Sequence, residues 1–167
     1  HRKLVVEACQ AGKDVYCEKP MSHSVADGLA MVEAVQKNNR MCTVGSQRVS
    51  KIIYHKAKEI WDSGRLGQVD TIMAAWDRNT DSGAWVYPIA PDASEQTIDW
   101  NTWLGDAPRR SYDPVRFFRW RCYKDYGAGL AGDLFVHLIS GIHHITGTNR
   151  PPDRALSSGG LYHYKDG

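Results

Sequence analysis

The chain has 167 residues, 42% apolar and 24% charged, with a net charge of +2. That length suits one domain or parts of two, with the composition of an ordinary globular protein. The low net charge argues against a nucleic-acid surface, since basic residues cluster only at Arg109-Arg110 and at Arg116, Arg119 and Arg121. No stretch approaches the ~18 apolar residues of a membrane span.

Residues 2–11 place Leu4, Val5, Ala8 and Cys9 on one helical face, with Gly12 as a stop. A buried strand is predicted at 14–17. Ser24 with Asp27 fits a capping box that opens a helix to about Asn38, buried through Val25, Leu29, Val32 and Val35. A second strand is predicted at 41–45. Ser50 can cap a helix to Ser63, with Ile53, Ala57, Ile60 and Trp61 inward and Gly64 as its stop. Helix, strand, helix, strand in this order implies parallel strands joined by crossover helices. Two strands cannot make a stable sheet of this kind. The pattern therefore reads as the second half of a doubly wound domain, and because the chain opens without Met inside a predicted helix, a missing N-terminus is expected.

After Gly67 the texture changes. A longer strand is predicted at 69–76. Residues 78–129 carry most of the Trp, Tyr, Pro and Arg with few periodic runs, interrupted by a helical turn at 98–104. A long connection of this kind is usually functional. A helix is predicted at 130–146, and 154–165 reads as the start of a second sheet. The thiols Cys9, Cys17, Cys42 and Cys122 form no Cys-x-x-Cys pair, and three lie on predicted core elements. Reduced buried thiols are expected, which favours a cytoplasmic origin and is compatible with export of the folded protein.

Two features carry chemistry. Glu18-Lys19-Pro20 ends the first strand, where an α/β sheet opens its ligand crevice, and Pro20 constrains the backbone there. In the 130–146 helix, Leu134, Phe135, Leu138, Ile139, Ile142 and Ile145 form a broad apolar face. Opposite, Asp133, His137, Ser140 and His144 follow spacings of 4, 3 and 4 and fall on one stripe at ~100° per residue. Solvated helix faces are normally built from Lys, Glu, Arg and Gln, and this stripe has none. Small and titratable groups suit a cleft. A carboxylate at i, i+4 from an imidazole is expected to raise its pKa and orient it, which is a general acid/base arrangement. Lys19 could complete it as a cation that stabilises developing alkoxide charge. A zinc reading through Asp133, His137, His143 and His163 finds no His-Glu-x-x-His motif or cysteine pair, and no metal is expected.

The chain resembles the NAD(P)-dependent oxidoreductases of the Gfo/Idh/MocA family in three stretches. The first is Ala11-Gly12-Lys13-Asp14-Val15-Tyr16-Cys17-Glu18-Lys19-Pro20. The second is Val44-Gly45-Ser46-Gln47-Arg48, a helix, and Gly64-Arg65-Leu66-Gly67-Gln68-Val69. The third is Gly127-Ala128-Gly129-Leu130-Ala131-Gly132-Asp133-Leu134-Phe135-Val136-His137. The resemblance implies the C-terminal half of a Rossmann-type doubly wound domain over 1–48. Over 49–167 it implies an incomplete α+β substrate and oligomerisation domain with an open, mostly antiparallel sheet. It implies hydride transfer between a secondary hydroxyl of a sugar, cyclitol or similar polyol and NAD or NADP, with Lys19, Asp133 and His137 catalytic. Glu18 (through its backbone), Lys19 and Pro20 would lie near the cofactor, and Lys19-Pro20 is expected to be cis.

Around this core, Gln47 is expected at the cofactor, and Arg48 at the substrate, because both follow a strand end. Arg121 and Tyr126 precede the helix closely and are expected to contact substrate, as are Ser140 and His144 on the stripe. Trp85 and Tyr87 could cap the pocket. Trp100 and Trp103 read as core anchors, and His55 and His163 as ordinary packing or surface residues. Ser140 stands where many family members carry an aspartate, so a different substrate pocket is expected. The glycine-rich phosphate loop is absent from this chain, which leaves NAD versus NADP open. The expected partner is a small sugar or polyol, with no nucleic acid or membrane, and a homo-oligomer at full length. The rivals are redox-neutral epimerase, lyase or glycosidase chemistry with bound NAD on the same fold, and a non-catalytic binding module. The 167-residue piece alone is expected to be inactive and poorly soluble.

Overall fold

The computed structural model describes residues 1–76 and 83–160. Helix α1 (Arg2–Gln10), strand β1 (Val15–Glu18), helix α2 (Val25–Lys37) and strand β2 (Cys42–Gly45) form a helix–strand–helix–strand unit. β1 and β2 pair in parallel, with Val15 opposite Cys42 and Glu18 opposite Gly45. They are the two strands among the described residues. The Asp14 carboxylate accepts from the Met41 backbone N–H at 2.8 Å and so ties the entries of both strands together. Ser24 caps α2 by accepting from Asp27 N–H at 3.2 Å, as its capping-box spacing predicts.

The core of this unit is Val5 and Cys9 of α1, Cys17 of β1, and Met31 and Ala34 of α2, with Val6, Val15, Met21, Val35 and Cys42 packed around them. The buried face of α2 differs from the expected one. α1 packs along the Met31, Ala34 and Val35 side, whereas Val25 and Leu29 stand 81% and 64% exposed. The apolar stripe in α2 is wide, and the choice of α1 as neighbour decides which part of it is buried. All four cysteines are free thiols. Burial pushes the Cys17 and Cys42 thiols up from their ordinary range, which keeps them unreactive.

Helix α3 (Ile52–Asp62) follows a short loop and packs against helix α6 (Val136–Thr146). Its half-buried residues are Tyr54, Ala57, Lys58 and Trp61: Ala57 and Trp61 of the expected set lie inward, whereas Ile53 and Ile60 are exposed. The cause is Gly141, the buried residue of α6: a Cβ there would come within 2.7 Å of Tyr54 Cε1. The missing side chain admits the Tyr54 ring and turns α3 onto that side. The predicted 130–146 helix is present but not uniform, because a π-helical turn over Ala131–Phe135 precedes α6. Residues 69–76 carry no regular secondary structure. A strand exists through its ladder, and no described segment pairs with this one.

The chain divides into two compact units, residues 1–76 with 130–153, and residues 77–129 with 154–167. The α3–α6 packing keeps both helices in the first unit. In the second unit, helix α4 (Trp100–Leu104) is capped by Asp99, which accepts from Thr102 N–H at 3.1 Å. Helix α5 (Pro114–Phe118) and a 3₁₀ turn (Trp120–Cys122) break the connection read as irregular. Asp113 before Pro114 is the cap and first-turn pairing that marks such a start, and its carboxylate accepts from Val115 and Arg116 N–H. The rings of Trp100, Trp103, Tyr112, Phe117 and Tyr126 pack on one another. Of the segment expected to begin a second sheet, 154–160 carries no regular structure and the remainder lies outside the described residues.

Met31 is fully buried between α1 and α2. Met31→Ala in the full-length protein is expected to cost about 2–5 kcal/mol. Urea unfolding would show it as a lower midpoint at unchanged slope.

Candidate active site

The site is built where the parallel strands end. Lys19 follows β1 directly, and its peptide bond to Pro20 is cis. Its ammonium donates to the Asp133 backbone carbonyl at 2.6 Å and lies 3.6 Å from the Asp133 carboxylate. The two side chains are only 14% and 20% exposed. A residue at the end of β1 is thus bound to the π-helical turn that leads into α6. Across the ladder, Gln47 donates from its side-chain amide to the Glu18 carboxylate at a long 3.5 Å.

His137 opens α6 one turn after Asp133. Its ring meets Trp76 at 5.4 Å between centroids. Its Nδ1 is buried with no hydrogen-bond partner among the described residues. Asp133 raises the His137 pKa, as expected, but other influences outweigh it. Burial is the leading influence and lowers the pKa, and the Lys19 ammonium lowers it further. A bond to the Gln47 backbone raises it, Arg48 lowers it, and the Asp133 carboxylate, the weakest influence, raises it. The net direction is down from the ordinary 6.5, so the ring is neutral at neutral pH.

Ser140 and His144 continue the stripe along the segment that leaves β2. The Ser140 hydroxyl is 3.3 Å from the Ser46 hydroxyl. His144 meets the His55 ring edge-on at 5.0 Å, and its Nε2 is buried without a hydrogen-bond partner among the described residues. Arg48 adopts a positive φ of 84° and lays its guanidinium 4.4 Å from the Trp76 ring centroid. Ser46, His55 and Trp76 were not singled out as site residues. Ser46 and Trp76 each stand at the end of a predicted strand, the signal by which they could have been found.

Other expected site residues belong to the second unit. Arg121 stacks on Trp120 at 4.2 Å, and Tyr126 packs on Trp103 at 4.8 Å. Trp85 is buried at a positive φ of 64°. Tyr87 is half exposed, and its carbonyl accepts from Arg119 Nε at 2.9 Å. Trp100, read as a core anchor, is buried and stacks on Trp103 at 4.9 Å. His163 lies outside the described residues. Among the described residues no group of three His, Cys, Asp or Glu side chains is placed to hold a metal ion, and no helix is long and apolar enough to cross a membrane.

Comparison with known proteins gives the site a setting. The chain is 42% identical over 69 residues to an inositol 2-dehydrogenase of Salmonella typhimurium, covering 41% of this chain and 20% of that protein. It is 34% identical over 88 residues to an uncharacterized oxidoreductase of Streptococcus pneumoniae, covering 51% and 24%. The chain therefore spans about a fifth to a quarter of the length of these relatives. A solved structure from Bordetella bronchiseptica RB50 superposes with a TM-score of 0.55 at 21% identity, over 88% of this chain and 30% of that one. An NAD-binding protein from Listeria innocua gives 0.50 at 23% identity, over 85% and 32%. These likenesses show the fold. Residues 1–46 match the oxidoreductase family's NAD-binding Rossmann fold, and residues 56–154 match the family's C-terminal alpha/beta domain. With more than half of its length matched by the second model alone, the chain belongs to the Gfo/Idh/MocA oxidoreductase family.

Proposed function

We propose that the full-length protein is an NAD- or NADP-dependent dehydrogenase that oxidises a secondary hydroxyl of a sugar, cyclitol or similar polyol. The observation that carries this reading is the Lys19–Asp133 contact at the carboxyl end of β1, with a half-buried, neutral His137 one helical turn beyond Asp133. An inositol 2-dehydrogenase among its relatives supports the substrate class. In this reading residues 1–48 complete the nucleotide domain, 49–167 belong to the substrate and oligomerisation domain, and the whole protein is a homo-oligomer.

The crevice outside the ends of parallel strands suits a nicotinamide, and a neutral imidazole at that end suits a substrate hydroxyl. Glu18, Lys19, Pro20 and Gln47 would hold the cofactor there, and when bound it supplies the hydride acceptor. His137 acts as the base. Its bond to the Gln47 backbone raises the pKa, as a carbonyl accepting the ring N–H does. The neutral ring takes the hydroxyl proton as the carbon–hydrogen bond gives up its electron pair. Lys19 keeps N–H groups beyond the one given to Asp133, and these stabilise the alkoxide charge as it forms. Asp133 holds the ammonium in place. Arg48, Ser140, His144, Arg121, Tyr126, Trp85 and Tyr87 are the proposed substrate contacts.

His137→Ala is expected to lower kcat/KM with myo-inositol or a related polyol by roughly 10²–10⁴-fold. Lys19→Met should act in the same direction. Full turnover in either variant would sink the reading. The acid limb of kcat/KM against pH should lie below pH 6.5. In an NMR titration, Lys19→Met should move the His137 midpoint upward, because a cation that disfavours imidazolium is removed. The depressed pKa also means that stability present above pH 6.5 is lost as pH falls through the folded value. The 167-residue chain assayed alone should show no turnover, since its two described strands are too few for a stable sheet.

A further inference from the structure

Trp76 sits between two groups of the site. Its ring carries the Arg48 guanidinium at 4.4 Å and meets the His137 ring at 5.4 Å with the planes 61° apart. Arg48 reaches it from a left-handed backbone conformation, φ 84°, that residues with bulky side chains seldom adopt. Neither contact is required by the sheet or by the helix packing.

His137 needs something of this kind. Its Nδ1 has no hydrogen-bond partner among the described residues, so no bond at that nitrogen holds the ring plane. A ring not held there can turn about its Cβ–Cγ bond and swing its nitrogens through an arc. A contact on the ring itself removes this freedom. The edge-to-face Trp76 pair is such a contact. The guanidinium stacked on the indole holds Trp76 in turn, in a planar arrangement that a lysine would not reproduce.

We infer that Trp76, clamped by Arg48, is a positioning residue that fixes the plane of the His137 imidazole and the direction of its Nδ1. The inference rests on the proposed role of His137. It changes the reading of Arg48 from a substrate contact to a residue that acts through Trp76. The charged groups acting on the ring are Lys19 after β1, Arg48 in the loop after β2, and Asp133 in the π-helical turn. Both cations keep it uncharged, so the clamp and the electrostatics favour the same state of the ring.

The test uses the full-length enzyme. Trp76→Ala should lower kcat about 10²-fold with KM changed by less than about twofold, the signature of lost alignment. Trp76→Phe keeps an aromatic edge and should recover kcat to within about fivefold. Arg48→Met should lower kcat and move the acid limb of kcat/KM to higher pH, because it removes a cation that disfavours imidazolium. In ¹⁵N-histidine spectra, His137 should show one tautomer in the parent and in Trp76→Phe, and averaged signals in Trp76→Ala. The inference is overturned if kcat of Trp76→Ala stays within about twofold, if its loss falls only on KM, or if Phe does no better than Ala. Should Trp76→Ala fail to fold, Arg48→Met decides: an unchanged kcat and acid limb overturns the clamp. If His137→Ala keeps turnover, the role of His137 as base fails, and the imidazole spectra still decide whether Trp76 fixes the ring.

Discussion

The contact between Lys19 and Asp133 joins residues 114 positions apart and holds the site together. It is a poor source of stability. Both side chains are largely withdrawn from water, and the desolvation of two charges offsets much of their attraction. What it provides is position. The short bond goes to the backbone carbonyl of Asp133, not to its carboxylate, so the ammonium is referenced to the helix itself. A rotamer change at Asp133 would leave that bond in place. The π-helical turn belongs to the same arrangement, because it carries the very carbonyl that Lys19 meets.

Burial and the cation placed there together set the state of His137. The familiar picture of a carboxylate beside an imidazole leads to a raised pKa, and the helix spacing alone supports it. In the folded protein the ring is half-buried, the Lys19 ammonium lies at the nearest carboxylate, and Arg48 adds a second positive charge. Each of these disfavours imidazolium. A base that must receive a proton is better kept neutral, so the arrangement serves proton removal from a hydroxyl more directly than the carboxylate-assisted version would.

Much of this was legible in the sequence, and the failures share a cause. The helices and strands of residues 2–45 follow from apolar spacing and from Ser24, because short-range signals fix them. The meeting of Glu18-Lys19-Pro20 with the Asp133–His137 stripe was legible only through motif order, which periodicity cannot convey. The buried side of α2 was misread because Val25, Leu29 and Val32 are as apolar as Met31 and Ala34, and only the placement of α1 separates them. The side of α3 was misread at Ile53 and Ile60, though not at Ala57 and Trp61, because the deciding residue, Gly141, lies on another helix. The strand expected at 69–76 has suitable residues but no ladder partner among those described. Each miss concerns a neighbour distant in sequence.

The stripe on α6 illustrates how two causes can produce one pattern. Its lack of long charged side chains was read as the mark of a cleft. The structure supplies a second reason. The segment from Ser46 to His55 lies along this helix, with Ser46 at Ser140, Tyr54 at Gly141 and His55 at His144. A lysine or glutamate at Ser140 or Gly141 would have to displace α3 or the loop before it. Small residues are thus demanded by packing in the middle of the stripe, whatever the chemistry. Asp133 and His137 are different, because their partners are the charge of Lys19 and the face of an indole, and close packing requires neither. The chemical content of the stripe is concentrated at its N-terminal end, where the helix meets the strand that carries Lys19.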